Sequence, residues 1–177
     1  MTYCEFASTS PVHASYHAEE YGFYQENESV LFERLILEIN QAGLSWETIL
    51  KKREGFKEAY GAWSVDRVAE FKPSDIERLM ADSGIIRNRL KIEAAIHNAQ
   101  VIRDMRAMGG FNEWLRSLHP QLKADWVKSF KTKFRFTGGE IVREFLMSLG
   151  YLPGAHDADC PIAEVARKSH PAWLFSR

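Results

Sequence analysis

The chain has 177 residues, 45% hydrophobic and 27% charged, a globular rather than disordered balance with length enough for one domain and its core. No apolar run approaches the ~18 residues of a membrane span, and Met1–Phe6 lacks the cationic and apolar regions of a signal peptide, so a cytoplasmic protein is expected. The formal net charge of −1 argues against binding by bulk charge, but the charge is unevenly spread: residues 1–40 hold seven acids against Arg34 alone, and Lys123–Arg135 five bases against Asp125 alone. Lys51-Lys52-Arg53 and Arg87/Arg89/Lys91 add two smaller basic clusters. Such asymmetry suits an anionic polymer on one face, and equally a solvated helix face.

The punctuation along the chain is helical. Asn27 or Ser29 caps a segment through Gln41, with Leu31, Leu35 and Ile39 four apart. Ser45 caps a second segment, Trp46 to Arg53, which Gly55 stops, and Ser64 precedes Val65–Phe71. Ser74-Asp75-Ile76-Glu77 reads as a capping box for a helix that ends before Gly84. The longest pattern, Asn88 to Met108, sets Ile92, Ile96, Ala99 and Ile102 on one stripe and stops at Gly109-Gly110. A short helix over Phe111–Leu118 ends at His119-Pro120, and a basic amphipathic helix covers Leu122–Lys133. Thr137-Gly138-Gly139 breaks the pattern and Glu140–Leu149 resumes it; beyond Pro153-Gly154 and Pro161 a last short helix spans Ile162–Lys168. Without alternating strands, repeats or a low-complexity linker, the pattern predicts one all-α bundle over residues 1–177.

Three groups of residues could carry chemistry. The two cysteines each have a histidine at a useful spacing, Cys4-x12-His17 and His156-x3-Cys160. Two thiolates and two imidazoles make a closed tetrahedral zinc set, which would tie the N-terminal segment to the C-terminal loop. His13, His97, His119 and His170 compete for the same role, and buried free thiols beside surface histidines remain the plain alternative. Glu38 shares the apolar stripe of Leu31 and Leu35, where a carboxylate must find partners, titrate abnormally or line a cavity. A glutamate capping the backbone of the next turn is the alternative. Close by stand Gln41, Gly43, Trp46 and Tyr16, and aromatics beside a carboxylate can receive a flat cation. Finally, Lys131 to Glu140 reads as basic helix, glycine hairpin, helix, whose open backbone and helix N-terminus suit a phosphate or simply join two helices.

Taken together these residues resemble the DNA-3-methyladenine glycosylase I family. The resemblance lies in Cys4 through Gly22 with Tyr16-His17; in Leu37-Glu38-Ile39-Asn40-Gln41-Ala42-Gly43-Leu44-Ser45-Trp46; in Gly84 through Ile92; and in Phe134-Arg135-Phe136 through Gly150 with His156 and Cys160. It implies a compact helical bundle of the helix-hairpin-helix DNA glycosylase type, with one structural zinc on Cys4, His17, His156 and Cys160 joining the termini. It further implies a monomer acting on double-stranded DNA that carries alkylated bases, excising 3-methyladenine as free base. In that reading Glu38 and Tyr16 are the catalytic pair at the base edge and Trp46 stacks on its face. Phe6, His13 and Tyr21 complete the base site, and Lys131, Lys133, Gly138 and Gly139 grip DNA. The chain departs from the family pattern at Phe6, His13 and Tyr21, where tryptophan, tyrosine and tryptophan are usual, and at Gly138-Gly139-Glu140, which sets an acid near the expected phosphate. Two other classes compete: a zinc-stabilised module that binds DNA damage without cleaving it, and a metallohydrolase. Four protein ligands disfavour the second, since they leave no position for an activated water.

Overall fold

The computed structural model describes residues 1–175. In chain order they form α1 (Tyr3–Thr9), α2 (Pro11–Glu19), α3 (Glu28–Gln41), α4 (Trp46–Lys51), α5 (Arg53–Ala59), α6 (Val65–Ala69), α7 (Pro73–Met80), α8 (Arg89–Met105), α9 (Phe111–Leu118), α10 (Lys123–Lys133), α11 (Gly139–Ser148) and α12 (Pro161–Arg167), with 3-10 turns at Gly61–Trp63, Arg106–Met108 and Ala172–Phe175. No strand occurs among the described residues, as the all-α expectation requires.

Side-chain caps set several starts. Asn27 accepts the Val30 N–H at 3.2 Å, Ser45 that of Thr48 at 3.2 Å, Ser64 that of Arg67 at 3.3 Å and Asn88 that of Lys91 at 3.1 Å, each cap worth about 1 kcal/mol. Three starts and stops differ from the sequence pattern. α7 begins before Ser74, because Pro73 takes the first helical position and the Asp75 carboxylate accepts the Lys72 N–H at 2.9 Å. The second segment breaks at Lys52, and α5 then runs straight through Gly55. A Cβ at residue 55 would collide with the Gly84 carbonyl oxygen, so this glycine serves close packing of α5 on the loop after α7, not helix termination. At the N-terminus, α1 and α2 form where the pattern signals no helix. Thr2 and Glu5 cap α1 reciprocally, and Pro11 opens α2.

α3 is the axis. Leu31, Phe32, Leu35, Ile36, Leu37 and Ile39 are fully buried, and so nearly are Arg34, Glu38 and Asn40. The helix packs on α4, α8, α9 and α11, and burial on every side is what an apolar helix centre demands. One residue of each of the two smaller basic clusters serves this packing, and others make surface pairs. Lys91 is buried and its Nζ donates to the carbonyls of Asn40 at 2.9 Å and Ala42 at 2.8 Å, satisfying the C-terminal end of α3. Arg53 turns inward to Glu20 and Glu33, each at 2.7 Å, while Arg89 pairs with Glu77 and Lys51 with Glu47. The α10 cluster is different: Lys128, Lys131 and Lys133 point to solvent, while Trp126 and Phe130 bury the opposite face beneath α9 and α11.

Candidate functional site

A cavity of about 410 Å3 lies where α1, α2, α3, α4 and α11 meet the loop around Gly154; Tyr3, Tyr16, Tyr21, Glu38, Trp46 and Glu144 line it, together with Gln41, Arg143 and Asp157. Glu38 arrives there because it sits seven residues after Leu31 and three after Leu35 on the inward face of α3. Its carboxyl is 4% exposed and no protein hydrogen bond supports it, so burial pushes it up to about 8; Glu144 adds to the rise and Arg34 opposes it. At neutral pH the free protein therefore holds Glu38 mostly protonated, not ionised, and a cation entering the cavity would draw the proton off. The alternative in which Glu38 caps backbone N–H groups is absent from its surroundings.

Tyr16, on α2, is 3% exposed and its hydroxyl has no partner. Trp46 is the first residue of α4, set in place by the Ser45 cap, and its Nε1 is equally unpartnered. The two rings meet at 5.2 Å and 55°, leaving neither face fully stacked. Tyr21 joins them, packing on Tyr16 at 5.8 Å and Tyr3 at 5.2 Å and donating its hydroxyl to Glu144 at 3.3 Å. Of the aromatics expected at this site, Phe6 and His13 do not line the cavity. Phe6 is 37% exposed and packs edge-on to His13, whose Nδ1 lies 3.2 Å from the Tyr3 hydroxyl. They back the wall; Tyr3 faces the space. Tyr3, Arg143 and Glu144 carry no motif, and for Glu144 the only signal was an acid one residue before Phe145 on an amphipathic helix, a position that ordinarily faces water.

Beside the cavity, Cys4, His17, His156 and Cys160 bring their donor atoms within 4.8 Å of one another, a group that could hold a metal ion. His156 Nδ1 is 3.2 Å from His17 Nε2, 3.8 Å from Cys4 Sγ and 3.9 Å from Cys160 Sγ, and Cys160 Sγ is 3.8 Å from His17 Nε2. His156 Nε2 donates to the Tyr21 carbonyl at 2.6 Å, which leaves Nδ1 bare toward the cluster, and the Asp157 N–H donates to Cys4 Sγ at 3.4 Å. Burial, with the neighbouring Cys160 sulfur, pushes the Cys4 thiol up to about 11. Burial likewise lowers His17 and His156, keeping both rings neutral.

The α10–α11 connection differs from the expected glycine turn. The left-handed residue is Phe136 at φ 61°, while Gly138 is extended at φ −75° and caps α11. Around Gly138 there is open space: a Cβ there would meet nothing within 4 Å, and one at Gly139 only Val127 at 4.0 Å. Glu140 is drawn to Lys123 at 3.0 Å and Arg143 at 3.4 Å, so its charge is compensated within the protein.

Comparison with known proteins places these features in one family. The family model described as methyladenine glycosylase matches residues 6–135. The DNA-3-methyladenine glycosylase of Haemophilus influenzae is 33% identical over 180 residues, covering 90% of this chain and 97% of that protein. The DNA-3-methyladenine glycosylase 1 of Escherichia coli is 41% identical over 109 residues, 62% of this chain, a match that spans 58% of that protein's own length. Among solved structures, a 3-methyladenine DNA glycosylase I in complex with 3-methyladenine superposes with a TM-score of 0.81 at 32% identity, covering 92% of this chain and 97% of that one. The chain belongs to the methyladenine glycosylase family.

Proposed function

We propose that this protein is a base-excision repair glycosylase that hydrolyses the N-glycosidic bond of 3-methyladenine in alkylated double-stranded DNA, acting as a cytoplasmic monomer and a single domain. One observation carries the reading: a buried carboxyl without a hydrogen bond shares a cavity of about 410 Å3 with two orphaned donors, Tyr16 Oη and Trp46 Nε1. Buried polar groups are rarely left without partners, and groups so arranged round a void are satisfied by a ligand. Methylation at N3 leaves the adenine in DNA cationic and its glycosidic bond weak. The protein then has to extrude the base and hold it, with water as the eventual nucleophile. Glu38 ionises against the cation, Tyr16 bonds the base edge, Trp46 and Tyr21 cover its faces, and Phe6 and His13 brace Tyr3 from behind.

The four-donor cluster fits zinc. A tetrahedral zinc with sulfur at about 2.3 Å and nitrogen at about 2.0 Å has donor-to-donor edges of roughly 3.3–3.8 Å; four of the six donor pairs here lie at 3.2–3.9 Å and all six within 4.8 Å. Cys4, His17, His156 and Cys160 would hold the ion, which supplies a closed-shell cross-link of the two ends of the chain and no reactive position. On DNA, the α10–α11 pair serves as the helix-hairpin-helix grip. The open backbone at Gly138 and Gly139 meets a phosphate at the α11 N-terminus, and the exposed Lys131 and Lys133 of α10 add positive charge for further phosphates.

The test is release of free base from methylated DNA. The purified protein is expected to release 3-methyladenine, and Glu38→Gln to slow release by about tenfold or more, on the order of a charge-assisted hydrogen bond. Retention of methylated DNA without base release would instead identify a damage-binding module.

A further inference from the structure

Packing of α11 against α3 brings a second carboxylate, Glu144, into the cavity that holds Glu38. Its two oxygens are anchored separately: Oε2 accepts the Tyr21 hydroxyl at 3.3 Å, and Oε1 accepts Arg143 Nη2 at 2.7 Å. Tyr21 is itself 8% exposed and wedged between Tyr3 and Tyr16. Glu144 is thus fixed to the aromatic wall of the site instead of moving freely on the surface. Arg143, 41% exposed, also lies 3.4 Å from Glu140, a second carboxylate that can hold its guanidinium when a ligand takes Glu144 Oε1.

We propose that Glu144 is a specificity-determining residue of this site, and that with Glu38 it selects a methylated purine bearing an amino group over one bearing a carbonyl oxygen at the same ring position. The inference rests on the glycosylase reading above and names the substrate class within it. Besides the protonated Glu38, the charged groups lining the cavity are Glu144 and Asp157 against Arg143, one acid in excess, and an anionic cleft concentrates cations. An ionised carboxylate only accepts hydrogen bonds. An amino N–H satisfies it, whereas a carbonyl oxygen would set lone pair against lone pair and leave both groups unpaired. Sites built to bond a donor reject analogues that lack it far more strongly than apolar pockets reject a missing methyl group.

Titration of 3-methyladenine and 3-methylguanine into the natural protein, Glu144→Gln, Arg143→Ala and Glu38→Gln, followed by chemical shifts, tests this. The natural protein is expected to prefer the amino base at least about tenfold, and Glu144→Gln to cut the preference roughly three- to tenfold, because the amide offers a donor where the carboxylate accepted. Arg143→Ala, which leaves Glu144 in place with one competitor fewer, is expected to tighten 3-methyladenine binding and to serve as the test if the glutamine variant does not fold. An unchanged preference in Glu144→Gln, or weaker binding in Arg143→Ala, overturns the inference. If binding responds to Glu38→Gln but not to Glu144, only this inference falls. If neither base binds, or Glu38→Gln has no effect, the glycosylase reading falls and takes this one with it.

Discussion

Arg34 holds its guanidinium carbon 5.0 Å from the centroid of the Tyr16 ring, so that a buried cation backs the tyrosine whose hydroxyl is unpartnered at the cavity. The same side chain, 1% exposed, donates to the Ser148 carbonyl at 3.3 Å and to Glu20 at 3.2 Å, joining α3 to the end of α11 and to the residue after α2. A desolvated cation over an aromatic face is worth up to about 2 kcal/mol. Arg34→Met keeps the bulk and removes the charge. Because Glu20 retains two bonds from Arg53, the expected loss of stability is about 2 kcal/mol, below the roughly 3–5 kcal/mol of an abandoned buried charge. Binding of 3-methyladenine should weaken in parallel as the Tyr16 ring loses its support. Urea denaturation and ligand titration of the variant check both, and unchanged binding would show that Tyr16 is positioned without Arg34.

Glu38 makes stability depend on pH in an unusual direction. The group titrates near 4.5 in the unfolded chain and is pushed up to about 8 in the folded protein, first by burial and then by Glu144. Between those values the folded state binds more protons, so stability falls as pH rises from about 4.5 to about 8 and levels off above. At about 1.4 kcal/mol for each pH unit the full effect is on the order of 3–5 kcal/mol. Glu38→Gln should remove this slope and be the more stable protein at pH 8, even as it loses activity. Denaturation curves of the two proteins at pH 5, 6, 7 and 8 measure it; parallel pH dependence would mean that the carboxyl is ionised throughout.

The cluster of Cys4, His17, His156 and Cys160 predicts a metal-dependent fold. Purified protein is expected to contain about one zinc per chain. Cys160→Ser should lose the metal and at least about 4 kcal/mol of stability, a fall in Tm of roughly 8–16 °C for a chain of this size. Metal analysis and thermal melts with and without a chelator are the measurements. A metal-free protein that melts at an unchanged temperature removes the assignment.

Exposed lysines on α10 predict the salt dependence of DNA binding. Affinity for duplex should fall with salt as phosphate contacts release counterions, and neutralising Lys131 or Lys133 should flatten the slope of log K against log salt by about one each. Glu140 needs no such compensation, since Lys123 and Arg143 already hold it. Fluorescence anisotropy across a salt series reads the slopes, and variants with the natural slope would move the DNA face elsewhere.

Sequence alone determined the helices whose signals are local. Caps at Asn27, Ser45, Ser64 and Asn88 act within three residues, and the stripes of α3 and α8 repeat along one element, so both could be seen without a partner. The spacings Cys4-x12-His17 and His156-x3-Cys160, and Glu38 on its apolar stripe, were legible for the same reason, whereas which histidines would meet the two cysteines was not. Tertiary structure decided the rest. α1 and α2 are short helices with little stripe of their own, and their place depends on docking against the cluster and cavity. Gly55 looked like a helix stop until the Gly84 carbonyl came within reach, and Arg53 and Lys91 looked like surface cations until Glu20 and Glu33 held the first and the end of α3 buried the second. Glu144 and the raised carboxyl of Glu38 became visible only together. Desolvation and charge–charge interaction depend on distance through space, and no periodicity along the chain encodes the distance between α3 and α11.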